Sequence, residues 1–240
     1  RGGVFDADDL DAAIKPASLP VFAPTSLVTV ENTHNRAGGV VFDQREVVRL
    51  CERARTHGLA TYLDGARLWN AAVASGRPEA ELAAPFDLVG VAFSKGLGAP
   101  GGSLLAGRRE LIDAAMRHRR RLGGAMRQTG HYAAAALHGV AHHRGRLAED
   151  HAHARRLAEA LAGCPALQLD LATVQTNIVV FHLAPEAPDA ATLVARARDA
   201  GVLLNAFAAR TVRAVTHLDV TREQVDRAAA ALLRLLVPTG

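Results

Sequence analysis

At 240 residues and 49% apolar, the chain is long enough for one large domain or two smaller ones, with a sizeable core. Its net charge of +4 is modest, and an aromatic content of 4% argues against a binder that stacks single-stranded bases, so no nucleic-acid partner is expected. No apolar run approaches the ~20 residues of a membrane span. The two cysteines, Cys51 and Cys164, form no closely spaced pair, which points to a reducing, cytoplasmic setting and away from a disulfide scaffold or a cysteine zinc site.

In chain order, residues 6–14 read as a short helix with carboxylates at its positive end. Pro16 and Pro20 break the next stretch. Ser26 to Glu31 reads as a strand, and ENTHNRAGG (31–39) as a polar loop at its end. His34 could stack on or bond a ligand there, while Asn32, Thr33 and Asn35 suit turn and capping roles equally well. Asp43 is placed to cap a helix running to about His57, with Val47, Val48, Leu50 and Cys51 on its apolar face. Ala60 to Leu63 is the next strand, with Asp64 at its carboxyl end, and Ala66 to Ala74 returns as a helix. That alternation implies a parallel sheet with right-handed crossovers.

Leu88 to Phe93 is a short apolar run that fits a buried parallel strand. Lys95 comes almost at once, then GLGAPGG, and a second apolar run from Ser103 to Ala106. A lysine is thus expected at a strand's carboxyl end, where open α/β sheets bind ligands, in a loop whose backbone permits close approach. Partial desolvation would make its amine a nucleophile of the Schiff-base type. A solvated loop lysine is the plainer alternative. A phosphate-binding P-loop is a poor fit, because Lys95 precedes the glycines and Gly96 stands after it where Ser or Thr belongs.

Arg108 to Leu122 is a basic helix, read as a solvated or subunit-interface face. Thr129 to Leu161 is helical and alanine-rich, with interruptions expected at Gly139 and Gly145. It carries His131, His138, His142, His143, His151 and His153. No carboxylate set joins them at a metal-binding spacing, so they are expected on a helical surface with no metal. Composition shifts at Gly163–Pro165, giving expected domains of 1–162 and 163–240. In the second, Thr176–Leu183, Val202–Leu204 and Val212–Val215 read as strands, with helices over Ala190–Ala200 and Thr221–Leu236.

The segment SKGLGAPGGSLLAG (94–107) closely resembles the pyridoxal-phosphate lysine segment of low-specificity L-threonine aldolases, in the wider β-eliminating lyase group. ENTHNRAGG, YLDGARLWNA (62–71), LGGAMRQTG (122–130) and RAVTHLDVT (213–221) resemble further segments of that family, in the same order. The resemblance implies an α/β fold of the fold-type-I pyridoxal-phosphate class: a mostly parallel sheet with flanking helices, plus a small α+β C-terminal domain. It also implies pyridoxal 5′-phosphate as cofactor, and retro-aldol cleavage of L-threonine or L-allo-threonine to glycine and acetaldehyde. Alternatives are another β-eliminating lyase acting on a small amino acid, or an inactive fragment acting only as a subunit or scaffold.

Residue by residue, the resemblance gives Lys95 the covalent cofactor link and Asp64 the ring nitrogen; without it, Asp64 reads as a helix cap. Arg67 falls near the ring and the substrate carboxylate. Arg127 and Arg120 fall to the cofactor phosphate of a neighbouring subunit, within a homodimer or homotetramer. Arg120 stands where the family usually has lysine, and Ala125 replaces a glycine. Arg213 falls to the amino acid's carboxylate, as a bidentate partner. Family members carry a longer N-terminal part with a phosphate-binding Gly-Thr loop and a ring-stacking histidine, so a start on Arg1 is expected to reflect a partial sequence. A second histidine, frequent just before the strand leading to ENTHN, is replaced by Leu19-Pro20-Val21.

Overall fold

The computed structural model describes residues 2–15, 21 and 23–236. The breaks expected at Pro16 and Pro20, and the Leu19-Pro20 replacement, lie outside the described residues. The chain forms two compact units. One comprises Gly3–Thr33 and Val41–Arg144, the other His34–Val40 and Gly145–Gly240.

The first unit opens with α1 (Ala7–Ala13). Asp6 caps it by accepting from Asp8 N and Asp9 N at 3.0 and 2.9 Å, and Asp9 accepts from Asp6 N in return. Then come β1 (Leu27–Glu31), α2 (Gln44–Thr56), β2 (Ala60–Gly65), α3 (Leu68–Ser75), α4 (Glu79–Ala83), β3 (Leu88–Ala92), β4 (Ser103–Gly107), α5 (Arg109–Arg121) and α6 (Gly130–His142). Asp43 caps α2 as expected, accepting from Arg45 N at 2.7 Å. The sheet order is β1-β2-β3-β4. β1, β2 and β3 run parallel, and β4 returns antiparallel on β3. Val28, Val30, Val47, Leu50, Leu63 and Leu82 form the centre of its core.

The second unit holds α7 (Leu147–Leu161), β5 (Leu167–Gln168), a 3-10 turn at Leu171–Thr173, β6 (Ile178–Leu183), α8 (Ala190–Asp199), β7 (Asn205–Ala208), β8 (Thr211–Val215) and α9 (Arg222–Leu236). Its sheet is antiparallel, in the order β5-β6-β8-β7. Leu157, Leu161, Leu193 and Leu232 from the helices pack with Val179, Phe181 and Val212 from the strands. Segregated helices over an antiparallel sheet make this an α+β unit. It begins at Gly145, 163 − 145 = 18 residues before the boundary expected from composition, because α7 contributes its apolar face to this core.

Several expectations are corrected. β3 is parallel to β2, but it is mostly half-buried and its other neighbour is antiparallel. Val48 points to solvent. Gly139 does not interrupt a helix but lies inside α6. Val202–Leu204 is not a strand; pairing begins at Asn205, opposite Arg213. Among the described residues, no helix is long and apolar enough to cross a membrane.

Thr61 and Asp87 fix the start of β3 against β2. The Asp87 carboxylate accepts from Thr61 N at 2.9 Å and from Thr61 Oγ1 at 3.0 Å, and Asp87 N donates to Thr61 O at 3.1 Å. The Thr61 backbone N–H, first among several donors and cations, holds the Asp87 carboxyl below its ordinary value of 3.8. A depressed folded value means that the stabilisation is complete above the unfolded value and is lost as pH falls through the folded one. Asp87→Asn should therefore lower stability at neutral pH by about 1 kcal/mol. It should also flatten the loss of stability below the ordinary aspartate range, read by urea unfolding across pH.

Candidate active site

β2 and β3 deliver their residues to one edge of the first sheet. The register sets Glu31 beside Asp64, and Asp64 beside Gly90. Alternation then places Tyr62 and Asp64 on one face of β2, while Thr61, Leu63 and Gly65 are buried on the other. Gly90 has no Cβ because the Tyr62 hydroxyl occupies that place. Burial, and then the Asp64 carboxylate, push the Tyr62 phenol up from its ordinary value. The sequence offered no signal for Tyr62.

Asp64 is half-buried, and its Oδ1 accepts from Ala66 N at 3.1 Å. The plain capping role thus holds for one oxygen and orients the carboxylate at the strand end. Arg67, half-buried, heads α3. Trp69 Nε1 donates to Ala92 O at 3.3 Å, and its ring lies 6.2 Å from that of Phe93. These contacts tie α3 to the carboxyl end of β3.

Lys95 opens a closed turn. Gly98 N donates to Lys95 O at 2.8 Å, with Gly98 at φ 72°, the left-handed region that favours glycine. The base of the loop is closed by Phe93 N to Gly102 O at 3.1 Å and by Ala99 N to Phe93 O at 3.0 Å. Leu97, at the turn's centre, is 1% exposed and anchors it. Lys95 itself is exposed in the single chain rather than partly desolvated, because the strand end opens to solvent. An amine on a fixed turn and an oriented carboxylate one strand away suit a carbonyl and a protonated nitrogen, respectively.

Arg120 and Arg127 are exposed, on the last turn of α5 and in the segment after it, and α5 buries none of its residues. Within the second unit, Arg213 is half-buried on β8. Its Nη1 donates to Asn35 Oδ1 at 2.7 Å and its Nη2 to Asn205 Oδ1 at 3.3 Å. Burial lowers the Arg213 guanidinium from its ordinary value. His34 takes a turn role: its Nδ1 accepts from Ala37 N at 3.1 Å.

The histidines of α6 and α7 are not all on a helical surface. His153 is buried, and burial pushes His151 down to about 4. His143 Nδ1 stands 2.8 Å from Leu97 O. Among the described residues, no group of three or more His, Cys, Asp or Glu could hold a metal ion.

Residues 1–184 match the β-eliminating lyase family. The chain belongs to that family. It is 40% identical over 230 residues to the low specificity L-threonine aldolase of Escherichia coli strain K12, covering 95% of this chain and 65% of that protein. It is 35% identical over 229 residues to low-specificity L-threonine aldolase 1 of Arabidopsis thaliana, covering 93% of this chain and 63% of that one. The chain thus spans about two thirds of the length of these relatives, or slightly less.

Among solved structures, the Leishmania major threonine aldolase superposes with a TM-score of 0.75 at 19% identity, covering 97% of this chain and 68% of that one. The Sphingomonas wittichii serine palmitoyltransferase superposes with a TM-score of 0.70 at 22% identity, covering 96% and 58%. The fold is that of fold-type-I pyridoxal-phosphate enzymes, as the sequence resemblance implied.

The Lys95 turn depends on Gly139. A Cβ there would stand 2.6 Å from Leu97 O and 3.2 Å from Leu97 Cβ. Alanine improves helix propensity by ~1 kcal/mol, but forcing a methyl against backbone costs ~1–3 kcal/mol. Gly139→Ala should therefore be destabilising and should speed hydrogen exchange at the Gly98 amide. Gly145→Ala, where a Cβ would meet open space, should do neither. Urea unfolding with amide exchange checks both.

Proposed function

We propose that this chain is part of a pyridoxal 5′-phosphate-dependent lyase that cleaves L-threonine or L-allo-threonine to glycine and acetaldehyde. The observation that carries the reading is Lys95, held in a hydrogen-bonded turn at the carboxyl end of β3, one strand from the oriented carboxylate of Asp64. These residues fit the cofactor: an amine for its aldehyde and an acid for its ring nitrogen. Family membership and 40% identity to a low specificity L-threonine aldolase support the same reading.

Lys95 would hold the cofactor through its amine. Asp64 keeps a proton on the ring nitrogen. Bound pyridoxal phosphate supplies the sink for the electron pair released when the Cα–Cβ bond breaks. Arg67 and Arg213 bind the amino acid's carboxylate. Arg120 and Arg127 serve the cofactor phosphate of a neighbouring subunit in a homodimer or homotetramer. A cytoplasmic setting is supported by two buried, unpaired cysteines.

The holoenzyme should absorb visible light from bound cofactor, and borohydride should fix cofactor mass on the peptide carrying Lys95. Lys95→Ala should lose that covalent mass and all but a trace of acetaldehyde release, with folding unchanged by circular dichroism. Cofactor mass on any other lysine would overturn the assignment.

A further inference from the structure

Arg213 is one of many arginines, yet its surroundings are built. On β8, Val212 and Ala214 are buried in the core of the second unit, so Arg213 faces away from that core. Its guanidinium lies with Cζ 4.4 Å from the centroid of the Phe207 ring. Asn35 and Asn205 accept one hydrogen bond from each terminal nitrogen, at 2.7 and 3.3 Å. Each terminal nitrogen therefore keeps a second N–H for a ligand. Nε is buried with no acceptor among the described residues, and the two terminal nitrogens bond neutral amide oxygens rather than a carboxylate.

Two local devices build this arrangement. Asn205 pairs with Arg213 and Ala206 with Val212, but the next partner of β8 is Ala208, against Thr211. Phe207 is thus the extra residue of a β-bulge, which re-aims its side chain beside Arg213. The second device brings Asn35. A Cβ on Gly38 would lie 3.7 Å from Val180 Cγ2, and Val180 pairs with Arg213 on β6. A Cβ on Gly39 would collide with Thr176 Oγ1 and stand 3.2 Å from Ile178 Cβ, and its φ is 78°. Thr176 Oγ1 donates to Gly39 O at 2.8 Å. The glycine pair lets the 34–40 loop lie directly on β6, within reach of Arg213.

We infer that Asn35, Asn205 and Phe207 are positioning residues that preset the Arg213 guanidinium for a carboxylate, and that Gly39 seats the loop carrying Asn35. This rests on the proposed reading of Arg213 as the binder of the amino acid's carboxylate. Neutral acceptors are required by the chemistry. An amide oxygen fixes the cation without discharging it, whereas a carboxylate would compete with the substrate. The aromatic face holds the cation in plane at little cost in hydration.

The test compares Asn35→Ala, Asn35→Asp, Phe207→Leu and Arg213→Ala in the holoenzyme, reading KM and kcat for L-threonine. It also reads nitrogen-15 resonances of the Arg213 side chain, assigned by their loss in Arg213→Ala. Asn35→Ala should raise KM on the order of 10-fold, the loss of one hydrogen bond to a charged group, and Phe207→Leu roughly 2- to 5-fold, the loss of a cation–π contact, each with a smaller fall in kcat. Asn35→Asp should raise KM further. The guanidinium rotation, slow in the parent, should quicken in Asn35→Ala. Unchanged KM and unchanged rotation in Asn35→Ala and Phe207→Leu, beside a raised KM in Arg213→Ala, would overturn the inference and leave the carboxylate reading intact. An unchanged KM in Arg213→Ala would overturn both. Lowered thermal stability with unchanged KM would make these residues structural only.

Discussion

The pairing of β3 on β2 is the constraint on which the first unit depends. Side chains alternate with a period of two, so a slip of one residue would turn every side chain to the opposite face. Two features forbid it. Thr61 and Asp87 exchange hydrogen bonds at the start of the pair, and the Tyr62 hydroxyl fills the space above Gly90 two residues on. The first is polar and directional, the second steric. With both in place, Asp64 and the turn bearing Lys95 leave the sheet at a fixed separation. The contact of α6 with Leu97 then holds the turn from outside the sheet.

The second unit solves a different problem. An antiparallel sheet can cover one face with helices and leave the other polar. Its core face is apolar, while the opposite face of β8 carries Arg213. Polar ties fasten the end of β8. Thr216 N donates to Asn177 O at 3.0 Å, Asn177 Nδ2 donates to Thr216 O at 2.9 Å, and Thr216 Oγ1 donates to Asp150 O at 2.6 Å. Asp150 is fully buried, with Arg146 Nη2 at 3.0 Å. Burial pushes the Asp150 carboxyl up, while Arg146 opposes that shift. Such a pair contributes little net stability, but losing one partner leaves the other charge stranded.

Much of this was legible in the sequence, and the exceptions share a cause. Helices α2, α8 and α9 follow apolar periodicity, and β1 to β3 follow short apolar runs, each near its expected place. The motifs carried Lys95 and Asp64 to neighbouring strand ends. Gly139 misled because glycine marks both a break and a close approach, and only packing against Leu97 distinguishes them. β7 was missed because Asn205-Ala-Phe-Ala has little strand propensity; its partner β8 imposes the conformation. The surroundings of Arg213 were not readable at all. Asn35 reaches it across 178 positions of sequence, and Phe207 only through a bulge.

The chain contains one tryptophan and two tyrosines, Trp69, Tyr62 and Tyr132, and all three fall within the first unit. Trp69 donates to Ala92 O and lies against Phe93, two residues before Lys95. Light that excites indole but not phenol is therefore absorbed and re-emitted at the carboxyl end of β3 alone. The second unit is dark at those wavelengths. The molecule carries its own fluorophore at the strand end that presents the reactive amine, and the colour of its emission reports the polarity there without any added label.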